Sequence, residues 1–156
     1  MSDKAMYNAA HDVRLRETMT AGAPLVQPKV MRYVKPEMTK HRHLVGLVRT
    51  DTLHGMIQVW KPGRGNKLHK HPNVDGLWFV LAGRAVFYTD DDQLVAELGP
   101  GESILIPRQF PHRIESIGDN DLEILQVEAL LTPGEQIKVD LLDSAEVDKD
   151  FDVTYL

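Results

Sequence analysis

The run Gly63-Arg64-Gly65-Asn66-Lys67-Leu68-His69-Lys70-His71-Pro72-Asn73-Val74-Asp75-Gly76-Leu77-Trp78-Phe79-Val80-Leu81-Ala82-Gly83 decides how this chain is read. It opens on a glycine-rich turn, sets two histidines two residues apart, and enters an apolar strand that a glycine stops. In an extended strand, residues i and i+2 project from the same face. His69 and His71 can therefore bind one metal ion, provided another strand adds at least one more ligand. His112 fits as the third. It opens a strand after Pro107-Arg108-Gln109-Phe110-Pro111, where the prolines fix the path of the chain. A second pair, His41-Arg42-His43, lacks the flanking glycines and strand signals, and is expected at the surface.

Outward from this run the texture repeats. Short bursts rich in Val, Ile, Phe, Tyr and Trp are cut about every ten residues by turn chemistry such as Pro62-Gly63, Asp90-Asp91-Asp92, Gly99-Pro100-Gly101 and Gly118-Asp119-Asn120-Asp121. That is the pattern of an all-β sandwich or barrel. No stretch between 53 and 132 is long and periodic enough for a crossover helix, which disfavours a parallel α/β sheet. The chain divides into an N-terminal arm (1–24), a barrel (25–132) and an acidic C-terminal extension (133–156). Residues 11–19 are a candidate short helix in the arm. The extension reads as a solvated strand and arm, with Glu135, Asp140, Asp143, Glu146, Asp148, Asp150 and Asp152 against Lys138 and Lys149. At its end Phe151, Val153 and Tyr155 alternate as a pairing strand would, with a second subunit as one candidate partner.

Composition narrows the function classes. The 156 residues suit one domain, and 42% hydrophobic content is enough for a core. A net charge of −5 argues against nucleic acid or an anionic membrane as partner. Absence of cysteine excludes disulfides, thiolate metal sites, Fe–S clusters and a cysteine nucleophile, and fits a reducing compartment. The first eight residues carry no apolar core, and the longest strongly apolar run is the six residues from Leu77 to Ala82. A cytoplasmic protein with no membrane span is the expectation.

The motif run resembles the first signature of the cupin superfamily, whose fold is a double-stranded β-helix, the RmlC-like jelly-roll barrel. That signature is Gly, five residues, His-x-His, three or four residues, Glu, six residues, Gly. Here Gly63, His69, His71, Gly76 and Gly83 hold every spacing. The second signature is Gly, five residues, Pro-x-Gly, two residues, His, three residues, Asn. Gly101, Pro107, Gln109, His112 and Ser116 hold those spacings, seventeen residues after Gly83. The departures are Gly76 for the carboxylate ligand, Gln109 for a turn glycine and Ser116 for asparagine.

The resemblance implies His69, His71 and His112 as metal ligands, with no carboxylate. Asp75 is the candidate substitute. It satisfies the shorter spacing, but points opposite to position 76 if the strand has begun there. A divalent ion on three neutral imidazoles keeps its full charge, which favours an anionic, bidentate small-molecule substrate such as an enolate, a β-diketonate, a 2-hydroxy acid or a catecholate. With Fe(II), open positions remain for substrate and dioxygen, and the site resembles that of acetylacetone dioxygenase-type cupins. A non-haem Fe(II) dioxygenase is the favoured expectation. A non-catalytic metal- or ligand-binding cupin is the alternative, as is a redox-neutral isomerase, lyase or decarboxylase using Mn, Ni or Zn. Family habit implies a homodimer.

Other residues are weighed by parity. Trp78 and Val80 share the parity of position 76 and are expected in the barrel interior, Trp78 as an apolar pocket wall or as plain core. Gln126 and Glu128 share a face of the last barrel strand and interrupt its apolar pattern, as pocket polar groups or as solvent-facing ones. Arg84 and Arg108 are expected to be exposed turn residues, and His11 and His54 structural or exposed.

Overall fold

The structure, a computed structural model, describes residues 27–141 and 151–156. The whole 1–24 arm, including the candidate helix over 11–19, lies outside the described residues. The described residues form eleven strands: β1 (Arg42–Arg49), β2 (Leu53–Trp60), β3 (His69–Lys70), β4 (Val74–Ala82), β5 (Arg84–Tyr88), β6 (Leu94–Leu98), β7 (Ser103–Ile106), β8 (Arg113–Ile117), β9 (Leu122–Leu130), β10 (Val139–Asp140) and β11 (Phe151–Tyr155). Among the described residues, the one helical element is a 3-10 turn at Asp90–Asp92, and no helix is long and apolar enough to cross a membrane.

Six strands form one sheet in the order β11-β1-β2-β9-β4-β7. The second wall is β6-β5-β8, onto which β3 is joined by a bridge between His69 and His112, with β10 paired beyond β3. The alternation in the sequence decides which side of each strand is dry. On β4, Val74, Gly76, Trp78 and Val80 face inward while Leu77 is 43% exposed. On β9, Leu122, Ile124, Gln126, Glu128 and Leu130 face inward. Trp60, Trp78, Val80, Phe87, Ile106, Ile114 and Ile124, drawn from both walls, close the core between them. The turn after β4 depends on Gly83. Its φ is +76°, and a Cβ there would stand 2.4 Å from the carbonyl oxygen of Asp121.

At the chain's end one expectation is corrected, and the expected pairing strand is formed. The described part of the stretch after residue 132 is not simply solvated. Val139 and Phe151 are 5% and 7% exposed, and both belong to strands of the barrel. The terminal strand β11 pairs within its own chain, parallel to β1, with Arg42 opposite Phe151 and Gly46 opposite Tyr155. Of the acidic residues that suggested solvation, Asp140 and Asp152 are paired with nearby cations, and Asp143, Glu146, Asp148 and Asp150 lie outside the described residues. Asp152 lies 3.5 Å from Lys40, and Asp140 lies 3.1 Å from Lys138.

Candidate metal centre

The three histidines meet because of the bridge between the second wall's strands. His69 and His112 are antiparallel partners, joined by backbone bonds of 3.0 and 2.8 Å in the two directions. Directly opposed residues share a face, as do residues two apart on one strand. His71 therefore joins His69 and His112 on the inner side. The ring centroids lie 5.0 Å apart for His69–His71, 4.5 Å for His69–His112 and 6.0 Å for His71–His112. One ligand atom from each residue falls within 4.8 Å of the other two.

Hydrogen bonding fixes which nitrogen each ring presents. His69 Nδ1 donates to the Lys67 carbonyl at 2.7 Å, His71 Nδ1 to Ile137 at 2.8 Å and His112 Nδ1 to Phe110 at 3.0 Å. A carbonyl only accepts, so each Nδ1 carries the hydrogen and each Nε2 keeps its lone pair. The Nε2 of His112 is buried and has no partner among the described residues. All three rings are held neutral, as ligation requires. Burial pushes His69 well below the ordinary histidine range, helped by its neighbours His112, Lys138 and His71. Burial likewise lowers His71, and it brings His112 down to about 4. Three bare, neutral nitrogens aimed at one point fit a divalent ion.

Facing the triad, the six-stranded sheet supplies a different chemistry. Glu128 is 1% exposed on β9, and its Oε2 accepts from His54 Nδ1 at 2.9 Å. Gln136 Nε2 donates to both carboxylate oxygens at 2.7 Å, and Gln126 Nε2 donates to Oε1. Behind Gln126 the amides form a directed chain. The Arg42 guanidinium can only donate, so Gln58 Oε1 accepts from it, leaving Gln58 Nε2 to donate to Gln126 Oε1. Burial pushes the Glu128 carboxyl up, but the bonds and charge of His54 outweigh it and leave the group below the usual carboxylate range.

Between triad and carboxylate lies a cavity of about 230 Å³, part of it open to solvent, lined by His71, Gly76, Trp78, His112, Gln126 and Glu128, with Val74, Ile106 and Pro107 at its edge. Trp78 is 3% exposed and serves both expected roles, packing on Phe87 with centroids 5.8 Å apart while its indole borders the cavity. Gln126 and Glu128 point into the barrel, not to solvent.

Asp75 is placed elsewhere. Strand β4 has begun by Val74, so Asp75 points away from position 76. Its carboxylate accepts from the Arg108 backbone N–H at 2.9 Å and pairs with the Arg108 guanidinium at 3.0 Å. It is outside the histidine group. Arg108 and Arg84 are exposed, and Arg84 is paired with Glu97. The surface expectation for the second histidine pair fails at His43, which is 7% exposed with Nε2 3.1 Å from Thr154 Oγ1, because the terminal strand covers it. His54 is structural and buried. The sequence reading missed Gln58 and Gln136. Gln58 had a signal, a polar residue at inner parity among Met56 and Trp60, whereas Gln136 had none.

Comparisons with known proteins agree with this architecture. A family model for the Cupin domain matches residues 56–128. An uncharacterised protein of Methanocaldococcus jannaschii is 31% identical over 98 residues, 59% of this chain and 77% of the relative. Among solved structures, a double-stranded β-helix protein from Klebsiella pneumoniae superposes with a TM-score of 0.61 at 17% identity, covering 76% of this chain and 95% of that one. An RmlC-like cupin protein from Desulfovibrio desulfuricans gives 0.55 at 18% identity, covering 66% and 97%.

Proposed function

Because the chain belongs to the cupin superfamily, we propose that it is a mononuclear metal enzyme, with His69, His71 and His112 as the ligands, acting on a small oxygen-rich organic molecule. The favoured activity is that of a non-haem Fe(II) dioxygenase. The observation that carries this reading is the set of three Nε2 lone pairs, each left bare by an Nδ1 bond to a backbone carbonyl, within reach of one ion. A divalent ion bound there would supply Lewis acidity for a chelating oxygen substrate and, as Fe(II), redox chemistry with dioxygen.

The chain's own residues do the rest. The carbonyls of Lys67, Ile137 and Phe110 hold the imidazoles in one tautomer and orientation. On the sheet that faces the triad, Val74, Trp78 and Ile106 give the cavity an apolar part, and Gln126 with Glu128, on the strand beside them, a polar part. A redox-neutral isomerase or lyase reaction is the second reading, favoured by the buried Glu128 carboxylate, a group suited to moving a proton.

Metal content of the purified protein, repeated for His69→Ala, His71→Ala and His112→Ala, tests the centre. Near-stoichiometric metal in the parent and loss in each variant is expected, and full metal in all three variants would exclude the triad. Oxygen uptake by the Fe(II)-loaded protein with diketones, 2-hydroxy acids and catechols then separates the two reaction types. Substrate turnover without oxygen consumption would favour the redox-neutral one.

A further inference from the structure

Gly76 and Glu128 are register partners on adjacent strands, β4 and β9, and both face the cavity. A Cβ at Gly76 would meet nothing closer than 3.6 Å, and Glu128 Cγ lies 4.0 Å from that point. The space a side chain at 76 would fill is therefore open, and a carboxylate from the neighbouring strand borders it. We propose that Glu128 supplies, from one strand away, the negative charge of this metal centre without entering its coordination sphere, so that the volume over Gly76 serves the substrate, a bidentate monoanion. This rests on the reading of the three imidazoles as a metal triad.

The hydrogen bonds explain why Glu128 stays uncoordinated. A carboxylate offers about four acceptor positions. Here His54, Gln126 and Gln136 make four contacts to the two oxygens. Reaching a metal would break them, so the group acts through its charge. That charge acts on both His71 and His112, where Lys138, itself paired with Asp140, opposes it. A buried carboxylate is costly unless positive charge stands nearby, and a dication across the cavity would provide it. A dication on three neutral rings carries +2, and Glu128 sets one negative charge on the wall facing it. A singly charged chelator and Glu128 together then match the dication, whereas a dianion adds a further negative charge beside a buried carboxylate. The charge also spares one coordination position that a carboxylate at 76 would occupy.

The test uses the full chain loaded with Co(II), whose visible absorption reports coordination, and two small chelators, glycolate as monoanion and oxalate as dianion. Glu128→Gln is expected to weaken Co(II) binding by roughly ten- to a hundredfold and to raise affinity for oxalate more than for glycolate. Glu128→Asp keeps the charge but changes the shape, and should retain Co(II) affinity and the glycolate preference within a few-fold. Gly76→Glu should hold Co(II) while losing both chelators. Circular dichroism on each variant confirms that the readings come from folded protein. A Glu128→Gln variant with parental Co(II) affinity and chelator ratio would overturn the proposal, as would Glu128→Asp proving as damaging as Glu128→Gln, which is the ranking a packing role gives. Failure of the parent to bind Co(II) would remove the triad reading and this one with it, and is recognisable because it appears before any variant is compared.

Discussion

His54 and Glu128 stand opposite one another on β2 and β9, 2.9 Å apart, with side chains that are each 2% exposed. Removing one member of such a pair strands the other in a dry interior, which costs more than the pair's net contribution. His54→Ala is therefore expected to lower stability by about 3–5 kcal/mol, measured as the shift of the urea midpoint at constant slope. A loss under 1 kcal/mol would mean that solvent reaches Glu128. Gln109 presents a smaller strain. Its φ is +69°, in the left-handed region, at the position where the family pattern has glycine. The conformation is costly for a side chain, and part of the relief is offset by the greater freedom of glycine in the unfolded chain. Gln109→Gly should accordingly raise stability by up to about 1 kcal/mol, seen in the same titration.

At the scale of elements, the strap over residues 135–141 makes the site complete. Asn73, 6% exposed just before β4, ties it down in both directions: Nδ2 donates to the Glu135 carbonyl at 2.8 Å and Oδ1 accepts from the Ile137 N–H at 3.0 Å. The same Ile137 orients His71 through its carbonyl. Asn73→Ala should cost about 1–3 kcal/mol and weaken metal binding by roughly tenfold, with hydrogen exchange quickening at the Ile137 amide. Unchanged metal affinity would show that the strap does not hold the ring. The strap also marks where sequence reading ends. His69, His71 and His112 were legible because strand parity and glycine turns fix which way they point. Glu128 was legible as one of two faces, since alternation tells which residues share a side but not which side is wet. The strap was not legible, because it acts through backbone carbonyls and its acidic composition matches that of solvated tails. Its neighbour β11 was legible as a strand, but not its partner, because parallel pairing of distant segments leaves no local signal.

Across the whole molecule, closing the barrel sets neutral imidazoles on one wall against a carboxylate on the other, and the two walls titrate in different windows. A histidine with a folded pKa below its unfolded value takes its proton first in the unfolded chain. Its contribution is then complete above about 6.5 and is lost as the pH falls toward the folded value. For His112, held at about 4 by burial, the full swing is on the order of 3 kcal/mol, and His69 and His71 act in the same direction. Glu128 is also depressed, so its contribution holds above the ordinary glutamate value of 4.5 and fades only below it. The metal-free protein should therefore lose stability between pH 6.5 and 4.5 through its histidines alone, and more steeply below through both walls. Urea titrations at half-unit pH steps measure this directly, and His112→Ala should flatten the upper window while leaving the lower one. Saturating divalent metal binds the folded state and adds about 2.7 kcal/mol at a hundred times the dissociation constant. Because burial holds all three rings below the ordinary histidine value of 6.5, that gain should persist below that pH. A gain that vanished by pH 6 would mean that the imidazoles take up protons in the folded chain at ordinary values, and hence that the wall carrying them is open to water.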